Sequence, residues 1–499
     1  MALNTPPATS FDFFGIGMVH GYTTPINVLP NDILIDIFDF FRKSHFHEGS
    51  LSWEWHILVH VCQRWRQIVF ASPCRLDLRI RCVNGTPVRK NLDIWPAFPI
   101  VIDYGYDFDK RITPSDEDNI IAALEHPGRV CYVRLKPRVT SSLLGKMATV
   151  MEKSFPALTH IHIHSDGNAP VLSGKFLGGF APCLQNIEFW GISFPALPNL
   201  LLSSSGLVSL ELHDIPETGY ISPEAMVAIL TTLTSLKHLH IDFQSPNSRP
   251  DRTLSPPVTR TALPVLTSIS FFGDHEYLEY LVASIDAARL DSILILYLNP
   301  VSGFQVPQLC KFINRSEITK RSLPRRCHIT LQSRGISLNL DATIYKGDNL
   351  WVTSPHIDVG FNCQLDRIAE RVSLVAQLSS RISPLLSNVI HFVIHWTGPP
   401  CRWQGTDGVE WLQLLRPFTS MQTLFVSTKF AEPVARALED VTGEMVTEVL
   451  PALDLLCLED LPVSSIAKFC EARQLSGCPL NIVGTSWEFG QKFDSYQRA

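Results

Sequence analysis

One phrase constrains this chain more than any other. It is L-x-x-L-x-L, with aliphatic or aromatic substitutes, and it recurs every 23–32 residues. It stands at Val130/Val133/Leu135, Leu158/Ile161/Ile163, Leu184/Ile187/Phe189, Leu207/Leu210/Leu212, Leu236/Leu239/Ile241, Leu266/Ile269/Phe271 and Leu290/Ile293/Ile295. It returns at Val389/Phe392/Ile394, Met421/Leu424/Val426 and Leu453/Leu456/Leu458. The alternating end of each phrase is a strand with one face buried. The stretches between carry helix-start signals. Thr113-Pro114 precedes three acids and then Ile120, Ile121 and Leu124, and Ser222-Pro223-Glu224 precedes Met226, Ile229 and Leu230. The unit is therefore helix, short turn, strand. Stacked units have parallel strands and share one continuous apolar core.

This organisation predicts an α/β leucine-rich-repeat solenoid over residues 113–499, with 75–112 as its linker and cap. Two places break the period. Residues 244–262 form an unpatterned loop, and an irregular insertion occupies about 296–388. Within the insertion Arg325–Leu331, Ile336–Leu340 and Leu350–Thr353 read as short strands of an inserted hairpin. Composition suits a large buried core, since 45% of the 499 residues are hydrophobic and 18% charged. Mean hydropathy is +0.11. The longest apolar run, Ile293–Leu298, is strand-sized and far short of a membrane span. A net charge of −6 gives no basic footprint for nucleic acid. Neither a nucleic-acid nor a membrane partner is expected. The first residues show no basic region followed by an apolar one, and the twelve cysteines include no C-x-x-C pair. Free thiols in the cytoplasm and/or nucleus are the expected state.

The N-terminal part is different. Residues 1–26 read as a disordered lead-in and 27–74 as a small all-helical domain. Asn31 and Asp32 can cap a helix carrying Ile33, Leu34, Ile37, Phe38 and Phe41 on one face. After a polar Lys43–Ser52 interruption, Trp55, Leu58, Val59, Cys62, Trp65, Ile68 and Val69 lie on a second helical stripe that Ser72-Pro73 ends. Two such helices cannot bury both faces alone, so the rest of the chain or a partner must cover them.

Leu29-Pro-Asn-Asp-Ile-Leu-Ile-Asp-Ile-Phe38, followed by Leu58-Val-His-Val-Cys-Gln-Arg-Trp-Arg-Gln-Ile-Val-Phe-Ala-Ser-Pro73, resembles an F-box. The continuation from Arg75 through Ile100 is similar to fungal F-box-like proteins with irregular leucine-rich repeats. The resemblance implies a substrate receptor of an SCF-type ubiquitin ligase, acting in ubiquitin-dependent degradation. Its F-box would dock on the ligase adaptor, and through it on the cullin, while the repeats hold a protein target. The implied adaptor-binding residues are Leu29, Pro30, Ile33, Leu34, Ile37, Phe38, Leu58, Val61, Cys62 and Trp65, with Phe38 as an anchor. The alternative is a leucine-rich-repeat interaction scaffold that recruits no ligase.

In each strand phrase the residues alternating with the leucines line the open face. Eight of the 17 histidines fall there: His160, His162, His164, His213, His238, His240, His391 and His395. The residues expected to bind a target are His160, His162, His164, Glu188, Trp190, Glu211, His213, His238, His240 and Asp242, on a surface that protonation near pH 6 could weaken. Imidazoles on one strand face stand ~6.5–7 Å apart, too far for His160, His162 and His164 to share a zinc ion unaided. His238, His240 and Asp242 could assist only from an adjacent strand, and two repeat strands intervene. No metal site and no cofactor are expected. Nucleophile-elbow, phosphate-loop, zinc-protease and dinucleotide motifs are missing from the sequence, so a non-catalytic receptor is expected. Asp116-Glu-Asp118 reads as a helix N-terminus, and Cys62 as a packed residue rather than a nucleophile.

Overall fold

The structure is a computed structural model that describes residues 26–44, 54–105, 111–167, 170–193, 199–244, 259–298, 305–316, 323–332, 335–341, 356–362, 368–397, 408–441, 445–460 and 463–483. The lead-in through residue 25, the interruption beyond Ser44, residues 245–258 of the long loop and the strand expected at Leu350–Thr353 lie outside these residues. The chain divides into two compact units, Met1–Arg79 and Ile80–Ala499.

The first unit contains α1 (Asn31–Ser44), α2 (Glu54–Val61) and α3 (Gln63–Ala71). Where the sequence predicts one helix over Trp55–Val69, the structure has two. Cys62 is extended (φ −158°, ψ 170°), and its Sγ accepts a hydrogen bond from the Trp65 amide, capping α3. The carbonyls freed at the end of α2 are partly recovered, because Arg66 Nε donates to Val59 O at 3.0 Å. Arg64 ties down the entry to α1, donating to Leu29 O (2.5 Å) and Asn31 Oδ1 (2.8 Å). Leu34, Phe38, Leu58, Val59, Ile68 and Val69 are buried, with the Phe38 and Trp65 rings 4.7 Å apart.

The second unit is α/β. Among the described residues its main sheet has sixteen strands. Strands β1 (Ile80–Cys82), β2 (Ile100–Tyr104), β3 (Val130–Val139), β4 (His160–Ser165), β5 (Asn186–Trp190), β6 (Ser209–Ile215) and β7 (His238–Phe243) follow one another in space as in sequence, all parallel. The segment read as linker and cap thus supplies β1 and β2. A two-residue pair, β8 (Thr261–Ala262) with β10 (Ile285–Asp286), stands apart from the main sheet. The main sheet continues through β9 (Ser268–Gly273) and β11 (Ser292–Leu298).

The order then inverts. Beside β11 lies β14 (His356–Asn362), then β13 (Gly335–Asp341), then β12 (Arg326–Gln332), with β12–β13 and β13–β14 antiparallel. The parallel run resumes from β12 to β15 (His391–Trp396), β16 (Thr423–Val426), β17 (Leu455–Leu458) and β18 (Asn481–Val483). The hairpin expected within the insertion is present as β12–β13, and the parallel order of the repeats is interrupted there. The Arg326–Gln332 and Gly335–Asp341 strands are separated by two residues, a connection that permits only an antiparallel hairpin.

Helices lie between the strands, and α4 (Val88–Ile94) and α5 (Pro114–Leu124) are the first two. Thr113 and Asp116 form a full capping box at the start of α5, with Pro114 in the first turn. The acidic cluster there is a cap, as its sequence indicates. The apolar positions of the repeated phrase stack in register across the parallel strands. Ile161, Ile187, Leu210, Leu239, Ile269 and Ile293 face one another in successive pairs, and none is more than 2% exposed. Each such side chain contributes roughly 1.5–3 kcal/mol by leaving water. The pattern is compatible with a solenoid-like α/β fold. No helix among the described residues is long and apolar enough to cross a membrane.

Candidate functional site

Because the apolar positions point inward, the alternate residues of β3–β9 share the other face. Register sorts them into rows. His162 pairs with Glu188, Glu188 with Glu211, and Glu211 with His240; one step along, His164 pairs with Trp190 and Trp190 with His213. All ten residues expected to bind a target lie on the four consecutive strands β4–β7. His238 is exposed at the start of β7 and is the least enclosed of the β7 trio.

Rings from successive strands form a ladder. His164 lies 5.4 Å from Trp190, Trp190 stacks on His213 at 3.8 Å and 5°, His213 lies 3.9 Å from His240, and His240 5.3 Å from Phe272. Tyr132 of β3 adds a ring 5.3 Å from His160. Carboxylates occupy the adjacent row. His162 Nδ1 donates to Glu188 at 2.6 Å, Trp190 Nε1 donates to the other Glu188 oxygen at 2.9 Å, and Ser209 Oγ donates to Glu211 at 2.8 Å. Glu211 Oε2 lies 3.5 Å from His213 Nε2, within ion-pair reach but not aligned for a hydrogen bond.

The hydrogen bond from His162 dominates the electrostatics of Glu188 and holds its carboxyl down at about 2 against the opposing effect of burial. The His213 imidazole lowers Glu211. Burial lowers His164, and burial followed by the proximity of His213 lowers His240 to about 4. The His240 ring is therefore neutral at pH 6, so the protonation expected of this face near that pH does not come from it. Burial, then Asp214, raises Asp242 to about 6. Asp214 has a positive φ of 50° and sits where the β6–β7 register shifts, a bulge that re-aims the end of β6. The sequence gives no sign of that bulge, and Tyr132 and Phe272 become part of the ladder only through the strand order.

As the intervening β5 and β6 dictate, His160, His162 and His164 do not meet His238, His240 and Asp242. Instead two overlapping sets bring ligand atoms within 4.8 Å of one another: His213, His240 and Asp242, and Glu188, Glu211 and His213.

The residues expected to meet an adaptor fall into three groups. Leu34, Phe38 and Leu58 are buried, and the ring expected to anchor a partner is at 0% exposure against Trp65. A filled interior position cannot dock on another surface, so Phe38 holds the helices together instead. Leu29 and Trp65 are half-buried, whereas Pro30, Ile33, Ile37, Val61 and Cys62 are exposed. Cys62 is thus a surface cap and not a packed residue. Two further residues join the exposed set, Phe40 and Ile57. Ile33, Ile37 and Phe40 follow i, i+4, i+7 on one face of α1, while Ile57 and Val61 follow i, i+4 on α2. No protein-family model matches the chain, and no curated protein matches it.

Proposed function

We propose that this chain is the substrate-recognition subunit of an SCF-type ubiquitin ligase, with an F-box in its first unit and a leucine-rich-repeat solenoid in its second. The exposed apolar face of α1 and α2 carries the reading. Ile33, Ile37, Phe40, Ile57 and Val61 are each 39–73% exposed on short helices whose inward positions are already filled. A helix face of this kind is what a partner groove covers, and each anchor contributes roughly 1.5–3 kcal/mol when buried. The adaptor contacts are then Pro30, Ile33, Ile37, Phe40, Ile57, Val61 and Cys62, with Leu34, Phe38 and Leu58 as the scaffold beneath. The target lies on the ring-and-carboxylate face of β3–β9, which offers aromatic surface and fixed acceptors together. The chain performs no chemistry itself and acts by bringing target and ligase together. The ten cysteines among the described residues are all free, in keeping with a cytoplasmic or nuclear setting.

The test is a pull-down of purified adaptor by the full chain and by an Ile33→Asp/Ile37→Asp variant. Capture by the wild type, lost in the variant with circular dichroism unchanged, is the expected result. Failure of the wild type to capture adaptor would leave a repeat scaffold that recruits no ligase.

A further inference from the structure

His240 and Asp242 stand two apart on β7, on the face opposite the buried Leu239, Ile241 and Phe243. Their neighbour on β6 is His213, since Leu212 pairs with Ile241, and the bulge at Asp214 follows immediately. One ring nitrogen of each histidine and a carboxylate oxygen of Asp242 all lie within 4.8 Å of one another. This is the help from a neighbouring strand that His160, His162 and His164 lack.

A second observation concerns the rings themselves. The Nε2 atoms of His213 and His240 are both buried without a hydrogen bond, and that of His213 has only the Glu211 carboxylate, at 3.5 Å, opposite it. Stacking between Trp190, His213 and His240 explains why the rings lie flat against one another, but it acts through their faces. It leaves the in-plane lone pairs or N–H groups unsatisfied, and a buried polar atom in that state is costly. A group that meets those nitrogens in the ring plane removes the cost.

We infer that His213, His240 and Asp242 form a binding site for a divalent transition-metal ion, zinc being the ion that this donor set suits. The two imidazoles are borderline donors that favour zinc, nickel or copper over calcium and magnesium, which take oxygen ligands alone, and zinc also accepts the carboxylate. Three protein ligands leave a fourth position in a tetrahedral site. Glu211, 3.5 Å from His213, and Glu188 place negative charge beside the ion without needing to bind it. Ligand atoms of a tetrahedral zinc site stand ~3.3 Å apart, so small side-chain rotations close the set around the ion. The inference does not depend on the ligase reading, because it concerns the sheet face alone.

The experiment uses the full chain, stripped with a chelator and titrated with Co²⁺ and then Zn²⁺. Cobalt in a site of nitrogen and oxygen donors gives visible ligand-field bands without the thiolate charge-transfer band that capture by a cysteine would add. The variants are His240→Gln and the near-isosteric Asp242→Asn, with His238→Ala as a control on the same strand, and circular dichroism checks each fold. One equivalent bound by the wild type and by His238→Ala is expected. In the other two variants the loss should exceed the ~10–100-fold that removal of an outer-shell partner costs. Zinc should raise Tm for the wild type and not for Asp242→Asn. The site is refuted if no equivalent binds at micromolar metal, if binding persists in both variants, or if the bands are those of thiolate.

Discussion

Phe38 and Phe40 are two residues apart on one helix and should behave as opposites. Phe40 is 73% exposed. A phenylalanine offers about 200 Å², so complete cover by a partner would remove roughly 145 Å² from water and contribute ~3.6 kcal/mol at 25 cal/mol per Å². Partial cover lowers this to about 2 kcal/mol, so Phe40→Ala should weaken adaptor binding by ~30–400-fold. The folded state should hardly register the change. Phe38 is fully buried with its ring 4.7 Å from Trp65, and Phe38→Ala should cost ~3–5 kcal/mol of folding stability through lost packing and a cavity. Titration calorimetry with purified adaptor measures the first quantity and urea unfolding of the same proteins the second. If Phe40→Ala bound as tightly as the wild type, or if Phe38→Ala unfolded at the same urea concentration as the wild type, the division of α1 into a docking face and a packing face would be wrong.

Other outcomes follow from burial in the sheet and from thiol exposure. Leu210→Ala, in the middle of the stacked apolar row, should lower unfolding stability by ~2–5 kcal/mol, read as a fall in the urea midpoint. Alkylation mapped by mass spectrometry should label the exposed Cys62, Cys74 and Cys183 rapidly at pH 8. Cys82 should stay unlabelled until the chain unfolds, because burial pushes its thiol up to about 12. Saturating adaptor should slow the labelling of Cys62 and leave that of Cys183 unchanged; equal protection of both would count against Cys62 as a docking residue.

Much of the sheet was legible because the repeated phrase encodes burial directly. Leu158, Ile161 and Ile163 are inward for the same reason that they recur. The hairpin over β12 and β13 was visible in the alternation of Ile336, Leu338 and Leu340, but β14 was not, since His356–Asn362 mixes Asp358 and Gly360 into its pattern. Helical periodicity carried the reading across Cys62 because a stripe survives a one-residue break, whereas a cap depends on backbone angles. The same periodicity could not tell which apolar positions of α1 face inward, as the helix is apolar over more than one stripe. That ambiguity put Phe38 on the docking face and left Phe40 off it. On the sheet, the placement of His160, Glu188, Glu211 and His240 on the face opposite the core was legible from alternation alone. Their grouping was not, because whether His213 meets Asp242 depends on strand order and on a bulge that pairs no side chains.

The inverted strand order of β11-β14-β13-β12-β15 sets how the second unit can assemble. Elsewhere each strand of the main sheet pairs with the next one along the chain, so units can be added one at a time. Here β11 must wait for β14, which starts at residue 356, and β12 must wait for β15, which starts at residue 391. These closures span longer loops and cost more chain entropy than the steps on either side. The main-sheet strands from β1 to β11 and those from β15 to β18 are thus two blocks joined through β14, β13 and β12. A weakened β13 would uncouple the two blocks, turning one cooperative transition into two.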